Sequence, residues 1–116
     1  MSSLLNFSFP KELQLRKASQ YDEIFGNSKR LKTRHFDILY RPNVFGYPRI
    51  GVVVAKKNVS GAVGRNRVKR ILREIFRMNK PLFGSIDIII VAKKHSELVD
   101  YSSALEEIIG KLRSDF

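Results

Sequence analysis

An α/β (α+β) fold in a single domain is predicted by three features of this 116-residue chain. Two almost continuous apolar runs, Arg49–Lys56 and Ile86–Lys93, have the length and β-branched content of buried strands. A long amphipathic segment over 61–80 separates them. The β-α-β order that results predicts a parallel strand pair joined through the helix. The length suffices for one modest core and is too short for two.

Each element follows from local pattern. Met1–Asn6 carries no periodicity and reads as a mobile terminus, the rest of 1–116 forming the domain. Phe7, Phe9, Leu13 and Leu15 alternate with polar residues around Pro10, which predicts an extended strap over apolar surface. Ser19–Gly26 reads as a short helix, with Ser19 and Asp22 placed as a capping box and Gly26 as its stop. Tyr21, Ile24 and Phe25 share one face of it. Lys29, Arg30, Lys32 and Arg34 read as a basic connector. Phe36, Ile38 and Tyr40 then alternate with Asp37, Leu39 and Arg41 as a strand, and Pro42–Pro48 is a turn. The two apolar runs are expected as central strands covered on both faces. Each ends in Val-Ala followed by a lysine pair, Lys56-Lys57 and Lys93-Lys94, and parallel pairing brings both pairs to one edge of the sheet. Tyr101, Ala104, Leu105, Ile108, Ile109 and Leu112 mark a closing helix capped by Asp100 or Ser102, with Glu107 and Lys111 at pairing distance.

The helix over 61–80 carries the functional signal. Val68, Ile71, Leu72, Ile75 and Phe76 form one apolar stripe. Asn66, Lys69, Arg70, Arg73 and Arg77 project opposite it, Arg67 and Glu74 lie on one flank, and Arg65 falls near the stripe's edge. Only Glu74 interrupts the positive charge. Like charges four apart, as in Lys69–Arg73, oppose the helix unless a polyanion neutralises them. The net charge of +11 points the same way, predicting attraction to phosphates that weakens with salt. Residues 1–94 hold 20 basic and 6 acidic side chains, and the last 22 hold 2 and 5. The closing helix is therefore expected on the side away from nucleic acid.

A self-sufficient enzyme is not indicated. There is no cysteine, so disulfides and thiolate metal sites are excluded, which fits a reducing cytoplasm. His35 and His95 are isolated, the carboxylates are scattered, and the glycines at 61 and 64 do not form a phosphate loop. No apolar run has the length of a membrane span and no signal peptide is evident, so a cytoplasmic protein is expected. Tyr21, Phe25, Phe36 and Tyr40 share the N-terminal half with much of the charge, and aromatic faces beside a cationic groove are how single-stranded RNA is held. Taken singly, Ile24, Phe25 and Phe36 read as core.

From Lys56 through Arg70, with the triplet Arg65-Asn66-Arg67 opening a basic helix after a Val-Ala-Lys-Lys strand end, the sequence resembles the protein subunit of bacterial ribonuclease P. The continuation Ile71–Arg77, Phe9-Pro10-Lys11-Glu12-Leu13, Tyr21 with Phe25, Pro48-Arg49-Ile50-Gly51 and Asp87–Lys94 match as well, so the resemblance runs from about Phe7 to Leu112. Tyr21 stands where phenylalanine is common, and the tail after Leu112 is shorter than in many relatives.

The resemblance implies a two-layer α-β sandwich with a mixed sheet of about four strands and a left-handed β-α-β crossover, where general chain topology favours the right-handed form. It implies partnership with a large catalytic RNA that holds the Mg²⁺ ions and, together with the protein, removes the 5′ leader of precursor tRNA. No obligate protein partner is expected. Carried over by position, Arg65, Asn66, Arg67, Lys69, Arg70 and Arg73, with Lys56 and Lys57, fall to RNA binding, and Tyr21, Phe25, Phe36 and Tyr40 to a leader-binding cleft. The helical projection further divides the helix: Asn66, Lys69 and Arg73 bordering the cleft, Arg65, Arg67 and Arg70 facing the catalytic RNA. A ribosomal or general RNA-binding protein, and an autonomous metal-dependent nuclease, are the alternatives.

Overall fold

The computed structural model describes residues 11–116. The expectations for Met1–Asn6, Phe7, Phe9 and Pro10 lie outside the described residues. The sequence continues as a 3-10 turn (Lys11–Leu13), helix α1 (Ala18–Gly26), strands β1 (Lys29–Lys32), β2 (Phe36–Pro42) and β3 (Arg49–Val53), helices α2 (Ala62–Met78) and α3 (Lys80–Phe83), strand β4 (Ile86–Ala92), a 3-10 turn (Ser96–Leu98) and helix α4 (Tyr101–Asp115). The result is an α+β domain with a four-stranded mixed sheet in the order β1-β2-β4-β3.

β3 and β4 are the expected parallel pair, with Ile50 opposite Ile88 and Val52 opposite Ile90. β2 pairs antiparallel to both β1 and β4. Their places differ from the expectation for two central strands. β4 is central and buried at nearly every position, whereas β3 lies at the margin of the sheet and is half-buried at three of its five residues. The strap explains why β3 is apolar nonetheless. Gln14 bridges Ile50 in parallel, Leu15 N donates to Ile50 O at 2.8 Å, and Leu13 and Leu15 are buried. At the other margin, the basic connector is a strand. β1 places Leu31 in the core and leaves Lys29, Arg30 and Lys32 exposed.

Strand alternation divides the core between the two faces of the sheet. Phe36, Ile38, Ile50, Ile86, Ile88 and Ile90 pack against Val68, Leu72, Ile75 and Phe76 of α2 and Ala104, Ile108, Ile109 and Leu112 of α4. The other face is smaller. Leu39 and Ile89 pack with Leu15 and with Ile24 of α1, and Tyr21, Val53 and Val91 close over them only in part. The acidic C-terminal helix thus lies in the same layer as the basic α2.

The helix ends show which local signals prevailed. α1 begins one residue earlier than expected and is not capped by Ser19. Instead the Gln20 side-chain oxygen accepts from the backbone N–H groups of Arg16 and Lys17, at 2.9 and 3.0 Å. Asp100 caps α4 as expected, accepting from Ser103 N at 2.8 Å. Glu107 does not pair with Lys111. Its carboxylate accepts from Thr33 Oγ1 and His35 N at 2.8 and 2.9 Å and contacts His35 Nδ1 at 2.6 Å, tying α4 to the β1–β2 turn.

At the end of the sheet away from the lysine pairs, Asp87 lies buried within β4. It accepts from Arg49 through Nε and Nη2, both at 2.7 Å, and from Asn43 Nδ2 at 3.0 Å. Burial pushes the Asp87 carboxyl up, but these hydrogen bonds and the charges of Arg49 and Arg41 outweigh it and hold it below the usual carboxylate range. Asn43 also donates to Tyr47 O and its side-chain oxygen accepts from Phe45 N, shaping the turn in which Gly46 takes a positive φ.

Candidate nucleic-acid interface

α2 runs from Ala62 to Met78 with Gly61 as its N-cap, and its apolar stripe is buried as the periodicity requires, Ile71 in part. That burial fixes where the remaining side chains point. Asn66, Arg70 and Arg73 are exposed and Lys69 is half-exposed. Glu74 is taken by Arg77 through a two-point contact one turn on, which holds the Glu74 carboxyl below its ordinary range. Among the described residues no carboxylate forms a salt bridge with Lys69, Arg70 or Arg73, nor with Lys56 or Lys57. Lys56 and Lys57 are exposed beyond the end of β3, and Lys94 beyond the end of β4. Lys93 folds back instead, donating to Thr33 O at 2.7 Å and pairing with Asp37 at 3.2 Å.

Two arginines of the signature triplet face the protein. Arg65 Nη1 donates to Val59 O at 3.0 Å and Ser60 O at 2.6 Å, closing the loop that leads into α2. Arg67 Nη1 donates to Glu97 O at 2.7 Å and Val99 O at 3.1 Å, fastening the turn before α4 to α2. Arg70 is the member of the proposed catalytic-RNA row that presents its guanidinium to solvent without such partners.

The four aromatic residues do not converge. Tyr21 and Phe25 lie one turn apart on α1, and Tyr21 packs against the sparsely covered face of the sheet. The Phe25 ring is 45% exposed. Tyr21 is half-buried, and its hydroxyl donates to Leu15 O at 3.2 Å. Burial pushes the Tyr21 phenol up, against a backbone hydrogen bond at Val52 and the charge of Arg73. Phe36 must be withdrawn from the cleft. It is 1% exposed, because alternation in β2 turns it to the face covered by α2 and α4. Tyr40 points to that same face, where its hydroxyl hydrogen-bonds Asp115 and its ring meets Phe116 edge-on at 5.4 Å. The sparsely covered side of the sheet carries Val53 and Val91, half-buried, in their place.

Gly51 is a residue whose part the sequence reading overlooked. A Cβ built there would lie 2.6 Å from the Cε1 and hydroxyl oxygen of Tyr21. A lone glycine inside an otherwise apolar strand marks such a close approach, and Ile50-Gly51-Val52 carried that signal. Among the described residues no group of three His, Asp or Glu side chains gathers as a metal site. No helix among them is long and apolar enough to cross a membrane.

Comparison with known proteins decides the family. A family model described as Ribonuclease P matches residues 9–114. The chain belongs to the ribonuclease P protein family. It is 42% identical over 109 residues to the ribonuclease P protein component of Escherichia coli O157:H7, covering 94% of this chain and 91% of that protein. The component from Photorhabdus laumondii is 38% identical over the same shares. The solved ribonuclease P protein of Thermotoga maritima superposes with a TM-score of 0.78 at 33% identity, over 87% of this chain and 96% of that one. As a ribonuclease P protein component, the chain serves the endoribonuclease that processes the 5′ leader of tRNA.

Proposed function

We propose that the chain binds the RNA subunit of ribonuclease P through the solvent face of α2 and the lysines at the ends of β3 and β4, and holds the precursor leader beside Tyr21 and Phe25. The observation that carries this reading is the unneutralised charge of Lys69, Arg70 and Arg73 on one helix face, in a domain whose acidic residues engage Lys29, Arg41, Arg49, Arg77 and Lys93 instead. Phosphates supply the missing counter-charge, and each neutralised phosphate releases counterions. The charge of Arg73 acts on the Tyr21 phenol, and cationic and aromatic side chains together are the combination suited to single-stranded RNA.

Cleavage is the work of the RNA subunit in this reading. The Mg²⁺ ions of the holoenzyme belong with the RNA in this reading, which fits the lack of any group of three His, Asp or Glu side chains able to hold a metal ion among the described residues. What the protein contributes is affinity and placement of the substrate, in the cytoplasm where precursor tRNA is processed. The test is reconstitution. Protein stripped of RNA is expected to leave precursor tRNA intact, and addition of the host RNA subunit with Mg²⁺ to restore cleavage. Cutting by RNA-free protein that disappears when one Asp or Glu is replaced would establish the autonomous nuclease instead. An unselective affinity for structured RNAs, with no preference for the ribonuclease P RNA, would favour a general RNA-binding protein.

A further inference from the structure

We propose that Gly51 is a positioning residue for the leader: the absence of a side chain at this one point of β3 is what seats the Tyr21 ring on the sheet. The inference rests on the reading of Tyr21 as a leader contact. Gly51 is buried in an ordinary strand conformation, so its value here is space, not backbone freedom. The three atoms nearest an added Cβ all belong to Tyr21, namely Cε1 and Oη at 2.6 Å and Cζ at 2.7 Å. Any larger residue must therefore displace that ring tip. Displacement also breaks the hydrogen bond to Leu15 O, which fixes the hydroxyl between the strap and β3. A ring pinned at its tip presents one orientation to an incoming base, whereas a displaced ring has to be reordered when the nucleotide arrives, and that reordering weakens binding.

The experiment is a double-mutant cycle in the reconstituted holoenzyme. Affinities are measured for a precursor bearing several leader nucleotides and for mature tRNA. Tyr21→Ala tests the leader contact itself, with an expected loss of about 5- to 150-fold confined to the leader-bearing RNA. Gly51→Ala is expected to reproduce a loss within that range, again confined to leader-bearing RNA, and to add nothing in the Tyr21→Ala background. A silent Gly51→Ala beside a leader-defective Tyr21→Ala overturns the inference alone, as does a fully additive double variant. A silent Tyr21→Ala overturns the cleft reading and the inference with it. Should Gly51→Ala fold poorly, thermal melting of the double variant decides. Recovery on removing the ring supports the assignment, and continued unfolding assigns Gly51 to the backbone instead.

Discussion

Replacing Arg67 and Arg70 singly by alanine separates two roles that adjacent positions in the signature helix conceal. Arg67 uses both hydrogens of Nη1 on the carbonyls of Glu97 and Val99, holding the turn before α4 against α2. Hydrogen bonds involving a charged partner contribute about 1.5–3 kcal/mol each. Water can reach part of this site, so Arg67→Ala is expected to cost about 2–4 kcal/mol in all. For a domain of this size each kcal/mol lowers the melting temperature by about 4 °C, giving a fall of roughly 8–16 °C. Arg70 is exposed with no salt bridge, so Arg70→Ala is expected to stay within about 0.5 kcal/mol of the parent in stability. Its effect belongs to RNA binding, where losing one phosphate contact reduces the slope of log K against log salt by about 0.7–0.9. Thermal denaturation of the free protein, and RNA-subunit titrations at several salt concentrations, read the two quantities. An unchanged melting temperature for Arg67→Ala, or an unchanged slope for Arg70→Ala, refutes the division.

Two further contrasts follow from burial. Phe25→Ala removes an exposed ring, so stability is expected to hold while leader-bearing precursor binds about 1–3 kcal/mol more weakly. Phe36→Ala empties a core position, costing about 3–5 kcal/mol of folding, with leader-bearing and mature tRNA bound alike at matched folded fraction. Asp87→Asn strips Arg49 and Arg41 of a buried counter-charge and is expected to cost about 3–5 kcal/mol at neutral pH by urea unfolding. Because the folded carboxyl titrates below its unfolded value, its contribution is complete above the ordinary carboxylate range and is lost as pH falls through the folded value. The gap between parent and variant should therefore close in acid, and a gap that widens there contradicts the ion-pair assignment.

The helix was legible in the sequence because its period specifies it, as Val68, Leu72, Ile75 and Phe76 demonstrate, and the strand pair because two short β-branched apolar runs flank that helix. Period does not say which face of a strand is the covered one when both are apolar. Phe36 and Tyr40 alternate as expected, but Leu39 on the opposite side is equally buried, so the sequence offered no means of assigning the open face. β1 was missed because Lys-Arg-Leu-Lys has a single apolar residue. Its strand character comes from pairing with β2, a long-range interaction. Arg65, Arg67 and Glu107 show the same limit for charge. Local spacing suggested solvent or an i,i+4 partner, whereas carbonyls of the preceding loop took Arg65, those of a distant turn took Arg67, and a distant histidine took Glu107. The basic face of α2 was readable for the converse reason: among the described residues no distant carboxylate forms a salt bridge with Lys69, Arg70 or Arg73.

The two margins of the sheet bear on how the free protein behaves before it meets RNA. An uncovered strand edge invites a second copy to extend the sheet. Here β3 already has its neighbour in the strap, through Gln14 and Leu15, while β1 carries Lys29, Arg30 and Lys32, which would face like charges if another β1 approached. Strand addition is thus opposed at one margin by backbone pairing at Ile50 and at the other by repulsion.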